Sequence, residues 1–206
     1  MIDTAFLITS FVTLFVIIDP IGLTPIFIAM TQGMSPQQKR SIALRATLTA
    51  MGLLALFAAL GEAVLGFVGI SMAAFRIAGG VLLFLTALDM LFERRNKRRE
   101  DRSEEDDFED PSVFPLSIPL IAGPGSIATV ILLTGQQPGI YGFAMVMGVV
   151  FAVLSILLIL CLFSGVLERL LGKTGITVVT RLLGMLLAAL SVQFVLDGLR
   201  AFGFAS

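Results

Sequence analysis

Long apolar runs separated by short polar stretches organise this chain, and six of the runs are long enough to cross a bilayer. A helix rising ~1.5 Å per residue needs about 20 apolar residues to span a hydrocarbon core of ~30 Å. The pattern predicts spans over residues 5–30, 41–60, 73–92, 113–133, 140–163 and 178–199. Ser35-Pro36 reads as the start of the second helix, a capping side chain followed by proline at the first helical position. Two runs are interrupted, by Asp19-Pro20-Ile21-Gly22-Leu23-Thr24-Pro25 in the first and by Pro119-Leu120-Ile121-Ala122-Gly123-Pro124-Gly125-Ser126 in the fourth. A helix that stops inside hydrocarbon leaves N–H and C=O groups that lipid cannot satisfy, so such breaks persist only where they face protein or a water-filled cavity. Matching interruptions in the two halves of a chain point to a transporter's substrate site.

Composition agrees with this pattern: 57% of the 206 residues are hydrophobic and 14% charged, the profile of a polytopic membrane protein. The amino-terminal region opens with Asp3 rather than a basic cluster, and its apolar stretch continues through Asp19-Pro20. A retained first helix, not a cleaved signal peptide, is therefore expected.

Charge is concentrated at 93–110, which holds six basic residues, Arg94, Arg95, Lys97, Arg98, Arg99 and Arg102, and nine acidic ones. Net charge over the whole chain is −1. The stretch reads as a solvated linker whose basic half directly follows the third span. Lys39, Arg40 and Arg45 follow the first span, and Arg169 and Lys173 the fifth, so three basic loops lie on one side of a six-span arrangement. Arg76 and Arg200 are the main basic residues on the other side. The positive-inside rule then places both termini outside the cytoplasm. No aromatic residues interleave with the basic run to stack bases, so it signals orientation and anionic headgroups, not nucleic acid.

The halves repeat. Gly69-Ile70-Ser71 precedes Arg76-Ile77-Ala78-Gly79, and Gly175-Ile176-Thr177 precedes Arg181-Leu182-Leu183-Gly184, about 105 residues later. Pro20 to Pro124 is 104, Gly22 to Gly125 is 103, and Asp89 and Asp197 add a looser match. Three spans per unit is an odd number, which requires the second copy to be inverted in the bilayer. The expected organisation is a first three-helix repeat at 1–92, a charged cytoplasmic linker at 93–110 and a second, inverted repeat at 111–206. Helices one and four would be broken near the midplane.

The chemistry expected at the breaks is that of a small zwitterion. Gly22 and Gly125 remove side chains where a substrate approaches backbone, and Pro20 and Pro124 end helical runs. Helices resuming after Gly22 and Gly125 aim N–H groups and positive dipole ends at a carboxylate, and carbonyls ending the preceding segments accept from an ammonium. Thr24, Ser126 and Thr129 add hydroxyls, and Ile21 and Gly123 complete the two segments. Kinking for close helix packing is the architectural alternative. Asp19 is the carboxylate placed well inside a span. At that depth it must face protein, pair, bind a cation or take up a proton, or else cap the second half-helix. It is the candidate for ion coupling.

Arg76 and Arg181 open the third and sixth spans and are gate candidates, with snorkelling to headgroups as the plainer role. Gly79, Gly80 and Gly184 read as packing residues. Cys161 stands alone in an apolar run, the chain has no His, and no nucleotide-binding glycine loop is present. A metal centre, a cofactor, a Ser-His-Asp enzyme and an ATP-driven pump are therefore not expected. A passive channel, an exporter of another small solute and a membrane scaffold remain alternatives to a carrier, and assembly into a homo-oligomer stays open.

The two interrupted stretches, read from Asp19 to Phe27 and from Pro119 to Thr129, resemble the signature stretches of the MarC family, over essentially the whole chain. That resemblance implies a six-helix inner-membrane protein, and through the family's SnatA branch it implies transport of small neutral amino acids such as glycine and alanine. It implies transport rather than a particular solute, and gives the linker no role.

Overall fold

The chain was analysed as a computed structural model that describes residues 4–31, 33–92 and 111–203. Among these residues every regular element is helical: α1 (Thr4–Ile18), α2 (Pro20–Met30), α3 (Pro36–Val68), α4 (Met72–Leu91), α5 (Ser112–Ile121), α6 (Pro124–Gln136), α7 (Ile140–Leu162) and α8 (Ser164–Ala201). Five stretches are long and apolar enough to cross a membrane: α1 with α2, α3, α4, α7, and Thr174–Ala201 of α8. A sixth appears if α5 and α6, which meet at a bend of 56°, form one span. The linker at 93–110 lies outside the described residues.

Boundaries depart from the apolar pattern where polar residues are helical. α3 starts at Pro36 because Ser35 and Gln38 form a reciprocal cap: Gln38 N–H donates to Ser35 Oγ (3.3 Å) and Ser35 N–H to Gln38 Oε1 (2.9 Å). The predicted Ser35-Pro36 start is thereby found, and the helix runs on to Val68, beyond the lipid-soluble stretch. α8 likewise begins well before 178, with a non-helical residue at Gly172, whose φ of 61° suits a residue without Cβ. Arg181 consequently sits about two turns into the apolar part of α8 rather than opening it.

Of the five stretches that qualify alone the first is the most buried, and the α5–α6 pair is buried to a similar degree. Of the first span's apolar window 61% is buried, against 22–39% for the other four spans. α1 serves two cores at once. Leu14 and Ile18 join a large cluster with α2, α3, α5 and α7, while Val16 and Ile17 face a second cluster with Leu83, Met90, Leu132 and Leu187. Exposed apolar residues such as Leu48, Phe67, Phe151 and Ile159 form the outward faces, as lipid contact requires.

α4 and α8 pack antiparallel over their length, with glycines at the crossing. A Cβ at Gly80 would lie 2.8 Å from Ser191 O and 2.7 Å from Val195 Cγ2, and one at Gly184 would lie 3.3 Å from Ala87 O and 3.4 Å from Leu91 Cγ. Gly79 fits against Leu132 in the same way. The packing role expected for Gly79, Gly80 and Gly184 is what these approaches give. Adding 104 to Gly80, Ala87 and Leu91 yields Gly184, Ser191 and Val195, so the two glycine contacts exchange under one shift. Some larger packing exchanges likewise, α3 on α5 and α6 with α7 on α1 and α2, and α4 on α6 with α8 on α2, while the packing of α1 on α6 and α8 and of α6 on α7 has no counterpart of similar extent.

Candidate functional site

The first break is a single residue. Asp19 adopts φ 53° and ψ 64°, a left-handed conformation that Asp tolerates better than most residues because its short side chain bonds locally. Helical bonding continues across it: Asp19 N–H donates to Phe15 O (2.9 Å) and Leu23 N–H to Asp19 O (2.9 Å). The expectation that backbone lies bare here is therefore corrected, since the chain resumes helix at Pro20 instead of after Gly22. Proline is suited to that first position because its missing N–H belongs to the unpaired first turn.

Asp19 caps α2, with Gly22 N–H donating to its Oδ1 at 3.0 Å. A Cβ at Gly22 would collide with Asp19 Oδ2 and lie 2.7 Å from Cγ. Gly22 is thus glycine to admit the Asp19 carboxylate, and the space expected for a ligand over it is filled. Oδ2 itself is buried with no hydrogen-bond partner, in a residue with no exposure. Orphaned buried polar atoms are rare enough to require a reason.

The second break begins earlier in the chain than the sequence predicts. Prolines at 115 and 119 each force extended backbone on the residue before them, Phe114 and Ile118, and both X–Pro bonds are cis. α5 is a wide coil closed by i→i−5 bonds, Leu116 N–H to Pro111 O (3.3 Å) and Ala122 N–H to Ser117 O (2.8 Å). Helix resumes at Pro124, not after Gly125, behind an N-cap, Gly123, whose side-chain position is empty. A Cβ there would meet Pro119 O at 2.5 Å. Asp19-Pro20 and Gly123-Pro124 are therefore equivalent helix starts, one capped by a carboxylate and one uncapped. Between the two cis prolines Ser117 Oγ is buried without a partner. The sequence reading missed Ser117; the spacing of Pro115 and Pro119 was the signal for it.

Gly125 brings the breaks together. A Cβ on it would touch Ile17 Cγ2 (3.4 Å), two residues before Asp19, and Leu83 Cδ2 (3.5 Å) and Thr86 Oγ1 (3.8 Å) of α4. Asp19, Pro20, Gly22, Thr24, Gly123, Ser126 and Thr129 are buried, Ile21 and Gly125 are half-buried, and Pro124 is exposed. Thr24 and Thr129 have each given their proton to the carbonyl four residues earlier, Pro20 O (2.9 Å) and Gly125 O (2.8 Å). They keep only acceptor capacity for anything else. The junction of α1, α4 and α6 is closed by packed side chains in this conformation.

Two polar cavities flank it. One of about 470 Å³ lies where α1 and α4 begin and α6 and α8 end, and its walls include Thr9, Arg76, Gln136, Gln137 and Asp197. Arg76 Nε is buried without a partner. Another of about 210 Å³ lies at the opposite end of the bundle, between the start of α3 and the end of α7, with Lys39, Arg40, Ser164 and Cys161 on its walls. Cys161 is a buried free thiol, as its apolar run predicts.

The family model for MarC family integral membrane proteins matches residues 4–202. A UPF0056 membrane protein of Archaeoglobus fulgidus is 38% identical over 197 residues, which is 95% of this chain and 92% of that one. The UPF0056 membrane protein YvbG of Bacillus subtilis is 34% identical over 200 residues, 95% of each chain. A UPF0056 membrane protein of Aquifex aeolicus is 35% identical over 194 residues, 93% of this chain and 91% of that one. No solved structure matches the chain.

Proposed function

The chain belongs to the MarC family of integral membrane proteins, and from that premise we propose that it is a secondary transporter of small neutral amino acids, of the glycine or alanine kind, working by alternating access in a bacterial-type inner membrane. One observation carries the reading: a carboxylate oxygen, Asp19 Oδ2, is buried and unpartnered at a helix break inside a largely buried span. An ionisable residue at membrane depth marks an ion or substrate path more often than it marks structure. The uncapped start of α6 and the acceptor lone pairs of Thr24, bonded to Pro20 O, and Thr129, bonded to Gly125 O, add polar groups beside the same closed junction. Opened, that junction offers N–H groups to a carboxylate and oxygens to an ammonium. Asp19 is its coupling residue.

The proposal includes an inverted relation between the halves, by a two-fold axis in the membrane plane. Glycine contacts that exchange under a shift of 104, and some helix pairings that exchange with them, support it. In this proposal both termini are outside the cytoplasm, and the α4–α8 pair rocks against the α3–α7 pair with the α1–α6 junction as the fulcrum. Counterflow tests it. Liposomes loaded with unlabelled glycine should accumulate labelled glycine or alanine transiently, and should not accumulate labelled lysine. A channel gives equilibration without overshoot, and a scaffold gives no flux.

A further inference from the structure

We propose that the cavity of about 470 Å³ at the α1, α4, α6 and α8 ends is a second zwitterion site, an entrance subsite in which Arg76 takes the carboxylate and Asp197 the ammonium of an incoming amino acid. It rests on the transport reading and adds a binding step outside the junction.

Three features converge on this cavity. Arg76 and Asp197 come from opposite ends of two antiparallel helices and reach one cavity because α4 and α8 pack antiparallel: Gly198, one residue beyond Asp197, lies against Ala73 O and Ile77. The opposite charges do not neutralise each other. Asp197 Oδ1 takes Gln193 Nε2 (2.8 Å) and faces Arg200 Nη1 (3.9 Å), both from its own helix, while Arg76 Nε is buried with no partner. A buried guanidinium N–H without an acceptor is unsatisfied in the free protein, and a planar carboxylate is the acceptor its fork fits best. Gln136 and Gln137 line the same cavity, with amide groups able to donate to one end of the ligand and accept from the other. The volume falls within the range of small-molecule sites and holds a small amino acid with its water. An arginine acting only as a headgroup anchor or gate would have no need of an acid and two amides on the same wall.

The two ends can be separated chemically. Glycine carries both charges and glycinamide only the ammonium. Binding of each to the purified full chain is measured by equilibrium dialysis, beside glycine counterflow in liposomes. Arg76→Gln should weaken glycine about tenfold, the scale of one lost partly exposed charged hydrogen bond, and leave glycinamide unchanged. Asp197→Asn should weaken both. Unchanged glycinamide binding shows that the Gln variant is folded, and Arg76→Lys, which keeps the charge, should recover part of the glycine affinity. Wild-type affinities in Arg76→Gln and Asp197→Asn, in a protein that still gives counterflow, overturn the entrance subsite and leave the transport reading intact. Equal weakening of glycine and glycinamide by Arg76→Gln also overturns it, because that is a structural effect. A wild-type protein that neither binds nor exchanges glycine ends both proposals.

Discussion

Gly22→Ala tests whether Asp19 holds the first break as described. The new Cβ would fall on the Asp19 carboxylate, which must swing away and release the Gly22 N–H. Loss of a hydrogen bond to a charged acceptor costs about 1.5–3 kcal/mol, and displacement from a favoured rotamer adds about 0.5–1.5 kcal/mol. Alanine's better helix propensity offsets about 1 kcal/mol of this. The net, about 2 kcal/mol, corresponds to a fall in Tm of about 4–8 °C for a chain of this size. With Asp19→Ala already present there is nothing to collide with, and Gly22→Ala should then raise stability by its propensity alone. The chain has no Trp and one Cys, Cys161, which is buried, so thermal unfolding in detergent can be followed by a dye that fluoresces on reaction with that thiol. Equal effects of Gly22→Ala in both backgrounds would refute the coupling between Asp19 and Gly22.

Other consequences follow from the same packing. Gly80→Ala meets the Ser191 backbone carbonyl and should lower stability by about 1–3 kcal/mol, whereas Gly66→Ala, with open space beside it, should leave Tm unchanged or higher. Ser117→Ala removes a buried hydroxyl without a partner and should not lower Tm, yet should slow glycine counterflow; a Tm several degrees lower would mean the hydroxyl is bonded. At Gly125 an alanine Cβ makes ordinary contact with Ile17 and Leu83, so Gly125→Ala should fold normally, while Gly125→Val fills the junction and should abolish counterflow with membrane insertion retained. Normal exchange by the valine variant would place the substrate path elsewhere.

The spans were legible in the sequence because lipid demands continuous apolar runs, and the Ser35-Pro36 start was legible because capping is local. The two breaks were legible from Asp19-Pro20 and Gly123-Pro124, but the helix starts were placed after Gly22 and Gly125 and lie at Pro20 and Pro124. Their geometry was not readable in the same way. Whether Gly22 faces a ligand or its own neighbour depends on the rotamer of Asp19, which a left-handed φ sets, and no periodicity reports that. The second break was read from Pro119 onward, but Pro115 four residues earlier already unwinds the chain, so the polar atom it buries, Ser117 Oγ, went unnoticed. Arg181 reads as a helix start because Arg169 and Lys173 before it look like a loop; α8 is helical there on both sides of Gly172. Arg76 drew notice as a charge near a membrane face. Its place on one cavity wall with Asp197 appears only when α4 and α8 are packed together.

Asp19→Asn measured in proteoliposomes is the most direct trial of the central claim. Asparagine keeps an oxygen for the Gly22 N–H and replaces Oδ2 by a group that cannot ionise, so the cap survives and the charge does not. The account predicts a Tm close to wild type and glycine uptake that no longer responds to an imposed pH gradient. Uptake by Asp19→Asn that responds to the gradient as the wild type does would contradict it.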